Sequence, residues 1–159
     1  AVIFGTTGGV MEAALRTVAE VVLGEEITDV EYNDVRGMEQ TREAVIKVGE
    51  AEVKIAVVHT LASAKKMLDR IKEGTADYHF IEVMACPGGC IGGGGQPVPV
   101  NAEIRQKRRE ALFECDRANE LRKSHENPEI KVLYDTWLGK PLGEKAHSLL
   151  HTHYSEQKR

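Results

Sequence analysis

Two cysteines in a glycine-rich loop are the residues of this chain best suited to chemistry. Residues 82–97 read EVMACPGGCIGGGGQP, with Cys86 and Cys90 separated by three residues, and six of the fifteen glycines fall between Gly88 and Gly95. Thiolates are soft ligands that suit iron–sulfur clusters, zinc and copper(I). Glycine lets a backbone approach a bulky inorganic group and adopt positive φ without strain. The loop is therefore predicted to surround a large group made of metal and sulfide.

Counting possible ligands narrows the choice of metal but leaves it open. Structural zinc takes four ligands, often from two closely spaced pairs, and the chain has no second pair of close cysteines. His151 and His153 are distant in sequence and poorly spaced for chelation. An iron–sulfur cluster also takes four ligands, usually cysteines, so a cluster here needs ligands from outside these 159 residues. A strained disulfide between Cys86 and Cys90 is a further possibility, as is a surface loop with two free thiols.

Two further features are weaker candidates. The turn Gly5-Thr6-Thr7-Gly8-Gly9 resembles an anion-binding turn, because backbone N–H groups at a helix N-terminus attract anions. It lacks the Lys-Ser/Thr ending of a Walker loop and the spacing of a dinucleotide fingerprint. Close packing of strand and helix explains it equally well, and the anion need not be phosphate. Cys115 lies within a long polar helix, where a packed or half-buried thiol is the better interpretation.

Composition limits the class of protein. The net charge of −4 and the sequence pI of 5.9 argue weakly against nucleic-acid binding, which needs a basic surface. No apolar run reaches the length of a membrane span. Three cysteines do not form a secreted disulfide framework, and an odd, sparse set fits a reducing compartment. We therefore expect a cytoplasmic protein; a periplasmic one is the alternative if a signal segment precedes Ala1.

The hydrophobic pattern predicts an α/β fold followed by a helical extension. The predicted strands are residues 1–4, 27–33, 42–48, 52–59 and 78–84. The predicted helices are residues 8–23, 62–72, 101–126, 128–138 and 141–151. Because ligands of open α/β sheets bind at the carboxyl ends of strands, we expect the glycine-rich turns at 5–9 and 88–95 to lie side by side. The pattern changes near residue 100, which predicts one domain at 1–100 and another at 101–159.

Three stretches together resemble the iron-only (FeFe) hydrogenases. They are FGTTGGVMEAA at 4–14, the cysteine loop at 82–97 and RKSHENP at 122–128. Residues 138–154 are similar to the small-subunit segment of that family. The resemblance covers essentially the whole chain and is most specific in the cysteine loop. It implies an α/β fold with a mixed sheet and flanking helices, half of the family's catalytic domain, fused to a mostly α-helical, small-subunit-like extension.

In that family the loop is the third of three cysteine motifs that hold the H-cluster. This cofactor is a 4Fe–4S cluster bridged by a thiolate to a two-iron (2Fe) unit with CO, cyanide and dithiolate ligands. The resemblance implies that both loop cysteines are metal ligands: Cys86 would bind the 4Fe–4S cluster, and Cys90 would bind it and bridge to the two-iron unit. The other implied site residues are Met84, Phe4 and Gly5 beside the two-iron unit, and Gly88 and Gly89 in the loop.

The implied activity is that of an oxidoreductase, the reversible oxidation of H₂ to protons and electrons. The family's first two cysteine motifs, its proton-relaying residues and its cyanide-binding lysine are absent from these 159 residues. We therefore expect a catalytic part that needs the N-terminal half of the catalytic subunit and is inactive alone. The remaining expected partners are ferredoxin or NAD(P)-linked subunits, with H₂ and protons as substrates.

Two relatives of the enzyme are alternatives. A hydrogenase-like iron–sulfur assembly factor shares the loop but carries no two-iron unit, and a hydrogen sensor is built on the same domain. Assembly factors tend to have serine within the Cys-Pro-x-Gly-Cys core and lack the FGTTGG turn in this form. Gly88 and the turn at 4–9 therefore favour the enzyme.

Overall fold

The computed structural model describes residues 2–155, so Ala1 of the first predicted strand lies outside the described residues. The α-helices are α1 (Gly9–Leu23), α2 (Leu61–Lys72), α3 (Ala102–Ala118), α4 (Pro128–Leu133) and α5 (Glu144–Leu150). The strands are β1 (Thr41–Val48), β2 (Ala51–His59) and β3 (Phe80–Met84). Short 3₁₀ turns cover Val2–Gly5, Asn33–Val35, Cys90–Gly92 and Ser124–Glu126, and a π-helical turn covers Tyr134–Leu138. The chain divides into two compact units between Lys123 and Ser124.

The three strands form one mixed sheet in the order β1-β2-β3. The β1–β2 hairpin is antiparallel, with Thr41 opposite Val58 and Val48 opposite Ala51. β3 runs parallel to β2, so that Met84 lies opposite His59 at the carboxyl ends of both strands. This arrangement confirms the expected mixed sheet with flanking helices, and it places the start of the cysteine loop at the carboxyl edge of the sheet.

Both faces of β2 are buried from Ile55 to His59, which explains the continuous apolar run in this part of the strand. Ile55 and Val57 pack with α1 residues such as Met11 and Leu15. Ala56 and Val58, which point to the opposite face because side chains alternate along a strand, pack with Ala64 and Met67 of α2. The sheet is therefore covered by α1 on one face and α2 on the other.

The predicted strand at 1–4 is wrong, because residues 2–5 form a 3₁₀ turn. Ile3 is fully buried, and its carbonyl accepts a hydrogen bond from the Thr6 N–H at 3.2 Å. A short apolar run indicates burial but does not distinguish a strand from a helical turn.

The predicted strand at 27–33 is also wrong, since this segment forms no sheet ladder. Its backbone bonds to side chains instead of a neighbouring strand. The Ile27 N–H donates to the Glu20 carboxylate at 2.7 Å, and the Val30 carbonyl accepts from Arg16 Nε at 2.8 Å. Buried main-chain groups need partners, but side chains can supply them as well as a ladder does.

The expected helical extension is confirmed, with shorter helices than predicted. The helix predicted at 101–126 ends at Ala118. Asn127 caps α4 by accepting from the Glu129 N–H at 2.9 Å, with Pro128 at the first helical position. The domain boundary near residue 100 stays a prediction. Among residues 2–155, no helix is long and apolar enough to cross a membrane.

A buried network of charges joins α1 to α3. It contains three carboxylates and three guanidinium groups, namely Glu12, Glu31, Asp116, Arg16, Arg36 and Arg122. Arg16 is fully buried, and its Nη2 donates to Glu12 at 2.7 Å and to Asp116 at 2.9 Å. Buried charges are costly unless they are paired and hydrogen-bonded. The network meets this condition because each of its six charged groups is hydrogen-bonded to a group of opposite charge.

The network determines the ionisation of Asp116. Burial alone would raise the pKa of this carboxyl, but hydrogen bonds from Arg16 and Arg122 and their positive charges outweigh it, and the pKa is lowered. For Arg16, burial acts to lower the pKa, and the Asp116 and Glu12 carboxylates raise it above its ordinary value. Both groups are therefore held in their charged forms.

A second buried carboxylate attaches α1 to the sheet. Glu82 of β3 is 5% exposed, and it accepts hydrogen bonds from the Gly8 N–H at 2.6 Å and the Met11 N–H at 2.7 Å. The first N–H groups of a helix have no partner within the helix, and a negative charge there is favourable. Glu82 satisfies two of these groups and fixes the start of α1 over β3.

Replacing Asp116 with asparagine should lower the free energy of unfolding by about 3 kcal/mol, because it removes one of the two carboxylates that pair with the buried Arg16 guanidinium. Urea denaturation at neutral pH measures this. Glu103→Gln, which removes an exposed ion pair on the same helix, should cost less than about 0.5 kcal/mol.

Because the folded-state pKa of Asp116 is depressed, its contribution to the free energy of unfolding is fully present above the ordinary pKa of 3.8. The difference between wild type and D116N should therefore shrink as the pH falls through the folded-state pKa. A pH-independent difference would contradict this account.

Replacing Glu82 with glutamine should destabilise the protein by about 2 kcal/mol, because an amide has one acceptor oxygen where the carboxylate offers two charged ones. Thermal unfolding followed by circular dichroism measures the loss. Glu52→Gln is the matched control, because Glu52 is an exposed carboxylate on the neighbouring strand. Equal stability of the two variants would show that Glu82 does not hold α1.

Candidate metal centre

The cysteine loop folds into consecutive tight turns directly after β3. The Gly89 N–H donates to the Cys86 carbonyl, and the Gly93 N–H donates to the Cys90 carbonyl, each at 3.0 Å. Both cysteines are free thiols, with Cys86 half-buried and Cys90 exposed. The structure thus places the two predicted ligands in one compact loop, with no disulfide between them.

Glycine is required where the loop passes sulfur atoms. A Cβ on Gly93 would lie 3.1 Å from Cys86 Sγ, and a Cβ on Gly89 would lie 2.8 Å from Met84 Sδ. The same Cβ on Gly89 would lie 2.8 Å from the Thr7 backbone nitrogen and 3.0 Å from the Gly5 carbonyl oxygen. A side chain at Gly89 would fill the space in which these groups meet.

The two glycine-rich turns are in contact, as expected. The Thr7 N–H donates to the Gly88 carbonyl at 3.0 Å. Among the predicted site residues, Gly88 and Gly89 are buried, Gly5 is half-buried and Phe4 is 45% exposed. The structure therefore brings Met84, Gly5 and Gly89 together, and Phe4 lies beside them in the chain with a largely exposed ring.

The anion at the N-terminus of α1 is the Glu82 carboxylate described above. Its hydrogen bonds to Gly8 and Met11 occupy the positions that a bound anion would take. The turn at 5–9 therefore serves packing and helix capping within the protein. Glu82 was missed by the sequence reasoning; its signal is a carboxylate in an otherwise apolar strand.

The polar helix α3 also contacts the loop. Arg108 donates from Nη1 to the Ile91 carbonyl and from Nη2 to the Pro97 carbonyl, each at 2.8 Å. The sequence pattern indicates a solvated helix and gives no sign of these contacts. On the same helix, Cys115 is exposed rather than packed or half-buried as expected, because it lies on the face away from Phe113 and Asp116, which are buried.

A cavity of about 430 Å³ adjoins the loop on the side of Pro87 and Gly88. His59 and Arg105 line it, and within residues 2–155 His59 Nδ1 and Arg105 Nε are buried polar atoms without hydrogen-bond partners. Buried polar groups are normally satisfied. His59 Nδ1 and Arg105 Nε are therefore exceptions among the described residues.

The donor set fits half of an iron–sulfur centre. Cys86 and Cys90 supply two free thiols, and the glycines around Cys86 Sγ and Met84 Sδ leave room for close approach. Within the described residues, no group of three potential metal ligands includes either cysteine. A four-ligand cluster at this loop thus needs thiolates from elsewhere.

Comparison with known proteins identifies two family segments. Residues 1–94 match the family described as iron only hydrogenase large subunit, C-terminal domain. Residues 102–157 match the family described as iron hydrogenase small subunit. The two matches together cover the loop and the helical extension.

Individual relatives agree with this assignment. The NADP-reducing hydrogenase subunit HndD of Solidesulfovibrio fructosivorans is 52% identical over 99% of this chain, which spans 27% of that protein. The FeFe-hydrogenase HydA1 of Chlamydomonas reinhardtii superposes with a TM-score of 0.72 at 42% identity, covering 95% of this chain and 45% of that one. Cytosolic iron-sulfur assembly component 3 of Rattus norvegicus is 31% identical over 94% of this chain and 31% of that protein. The chain therefore spans less than half the length of each of these relatives. Because the large-subunit family matches more than half of the chain, the chain belongs to the iron-only hydrogenase family.

Proposed function

We propose that the protein containing this chain oxidises and forms H₂ reversibly at an H-cluster, and that this chain supplies one wall of the cofactor site. The observation that carries the proposal is the loop of Cys86 and Cys90, with two free thiols among glycines that approach sulfur atoms closely. Membership of the iron-only hydrogenase family supports it.

The proposed ligands have distinct roles. Cys86 would hold the 4Fe–4S cluster, and Cys90 would hold it and bridge to the two-iron unit. When bound, the H-cluster supplies the bond chemistry of H₂ and the transfer of electrons. The other residues proposed to line the site are Met84, Phe4 and Gly5 beside the two-iron unit, and Gly88 and Gly89 in the loop. The contact of Gly89 with Met84 and Gly5 supports this grouping.

The chain's own residues would orient and shield the centre. Hydrogen bonds to cluster sulfurs and burial set the potential of an iron–sulfur cluster. The two turns, joined between Thr7 and Gly88, would place backbone without side chains against the cluster. Met84 would contribute a soft, apolar surface that keeps water out.

The remaining ligands are proposed to come from the N-terminal half of the catalytic subunit. Two thiols are half of the four ligands that a 4Fe–4S cluster requires, and the cavity beside the loop, which His59 and Arg105 line, offers space for a further segment. Ferredoxin or an NAD(P)-linked subunit is the proposed electron partner; the name of the NADP-reducing relative supports the second. A cytoplasmic location is proposed because all three cysteines are free.

A non-enzymatic role in iron–sulfur protein assembly is the second candidate. The 31% identity with an iron–sulfur assembly component over most of this chain favours it. Such a protein would use Cys86 and Cys90 to hold a 4Fe–4S cluster without a two-iron unit. Both candidates would therefore bind a 4Fe–4S cluster, and only the hydrogenase would also bind a two-iron unit.

Infrared spectra of the full-length protein, matured with its cofactor, should show CO and cyanide bands. Cys86→Ala and Cys90→Ala should lower iron and acid-labile sulfide severalfold, because each removes a ligand thiolate. Cys115→Ala is the matched control and should leave both unchanged, because this thiol is exposed on α3. Iron and sulfide without CO and cyanide bands would favour the assembly role, and full metal content in both loop variants would overturn the site itself.

The isolated 159-residue chain should show no H₂ evolution with a chemical reductant. Its loop offers two cluster ligands, and the described residues close to the loop add no others. Gas chromatography measures the product, and the full-length protein is the positive control. Hydrogen evolution by the isolated chain after maturation would show that the N-terminal half is dispensable.

A further inference from the structure

We propose that Arg108 is a positioning residue that holds both ends of the glycine segment following Cys90. Its guanidinium donates to the Ile91 carbonyl and to the Pro97 carbonyl, both at 2.8 Å. The proposal depends on the proposed function in one respect, namely that the loop binds an iron–sulfur cluster. Arginine suits this task because its planar fork presents several donors in fixed directions, whereas lysine offers a single ammonium group.

The segment between these two carbonyls needs an external support. Residues 92–95 are four consecutive glycines, and glycine loses more conformational freedom on folding than any other residue. A Cβ at Gly94 or Gly95 would meet no atom within 4 Å, and both residues are exposed. The two hydrogen bonds from Arg108 therefore restrain the chain on both sides of these two loosely packed residues.

One of these bonds lies directly beside the proposed bridging ligand. Ile91 follows Cys90 in the chain and is 5% exposed. Fixing the Ile91 carbonyl orients the peptide plane between Ile91 and Gly92, and with it the turn that begins at Cys90. Arg108 thus acts on the thiolate through the main chain and not by touching the metal.

The support itself is rigidly placed. α3 carries Asp116, which pairs with the buried Arg16 of α1, and Arg105, whose Cδ lies 2.8 Å from a Cβ built on Gly92. Leu112 of the same helix lies 3.0 Å from a Cβ built on Gly5. α3 therefore contacts both glycine-rich turns from a fixed position. Arg108 lies on this helix between Arg105 and Asp116.

The test compares Arg108→Lys and Arg108→Gln with Lys107→Gln in the full-length protein. Lys107 is the matched control, because it is an exposed cation on the same helix, paired with Glu103. Hydrogen exchange of the hydrogen-bonded amides of Gly92, Gly93 and Gln96 is measured without the cofactor. Paramagnetic resonance spectra and the midpoint potential of the 4Fe–4S cluster are measured with it.

Both Arg108 variants should exchange these amides about tenfold faster, because two hydrogen bonds are lost or weakened. Both should also show broadened spectra and a shifted midpoint potential, and Lys107→Gln should match wild type. If Arg108→Lys matches wild type and only Arg108→Gln differs, charge rather than position is responsible and the proposal is overturned. Wild-type behaviour of both variants overturns it as well.

The proposal and the proposed function fail in different ways. Absence of CO and cyanide bands would refute the hydrogenase role, yet the exchange rates and the 4Fe–4S spectra would still test Arg108. If Arg108→Gln does not fold, the conservative Arg108→Lys decides the question. Circular dichroism of each variant shows which case applies.

Discussion

The buried ion pair between Arg16 and Asp116 determines where α3 lies. The two residues are 100 positions apart in sequence, yet the guanidinium bonds both carboxylate oxygens, at 2.9 and 3.0 Å, in a site almost without solvent exposure. Removing two charges from water costs several kcal/mol per ion in proteins, and only excellent geometry with further hydrogen bonds compensates for that. Arg16 meets the requirement with additional bonds to Glu12 and to the Val30 carbonyl. The pair is satisfied in one arrangement of α1 and α3, and this selectivity makes it a constraint on the fold.

Three interactions made by charged side chains form a closed frame around the cysteine loop. Glu82 attaches α1 to β3, Arg16 attaches α1 to α3, and Arg108 attaches α3 to the loop that continues from β3. In two of the three, a charged side chain bonds main-chain groups directly, which fixes backbone rather than side-chain positions. Charge-assisted bonds are shorter and stronger than neutral ones. The glycine backbone can therefore lie beside sulfur atoms in a defined conformation, because the hydrogen bonds of the frame restrain it.

Sequence patterns correctly predicted the elements that are determined by residues close together in the chain. The helix at 8–23, the hairpin strands at 42–48 and 52–59, and the cysteine loop all follow from local spacing, and the structure confirms these elements. The strand predicted at 27–33 failed because Arg16 and Glu20 bond its backbone from another element. Glu82, Asp116 and Arg108 were missed for the same reason, since they bond partners that lie 74, 100 and 17 residues away along the chain. A charged residue in a sequence looks solvated until its distant partner is known.

The frame would serve any cluster bound by Cys86 and Cys90. Glu82 and Arg108 bond backbone groups of the two glycine-rich turns, and Arg16 fixes the position of α3, the helix that carries Arg108. Their hydrogen bonds described above go to groups other than Phe4 and Met84, the residues proposed to face the two-iron unit. Under the proposed function, the small region where Gly89 meets Met84 Sδ and the Gly5 carbonyl would distinguish the two roles. We infer that substitutions in that region change which cofactor is accepted, whereas substitutions in the frame weaken binding of either one.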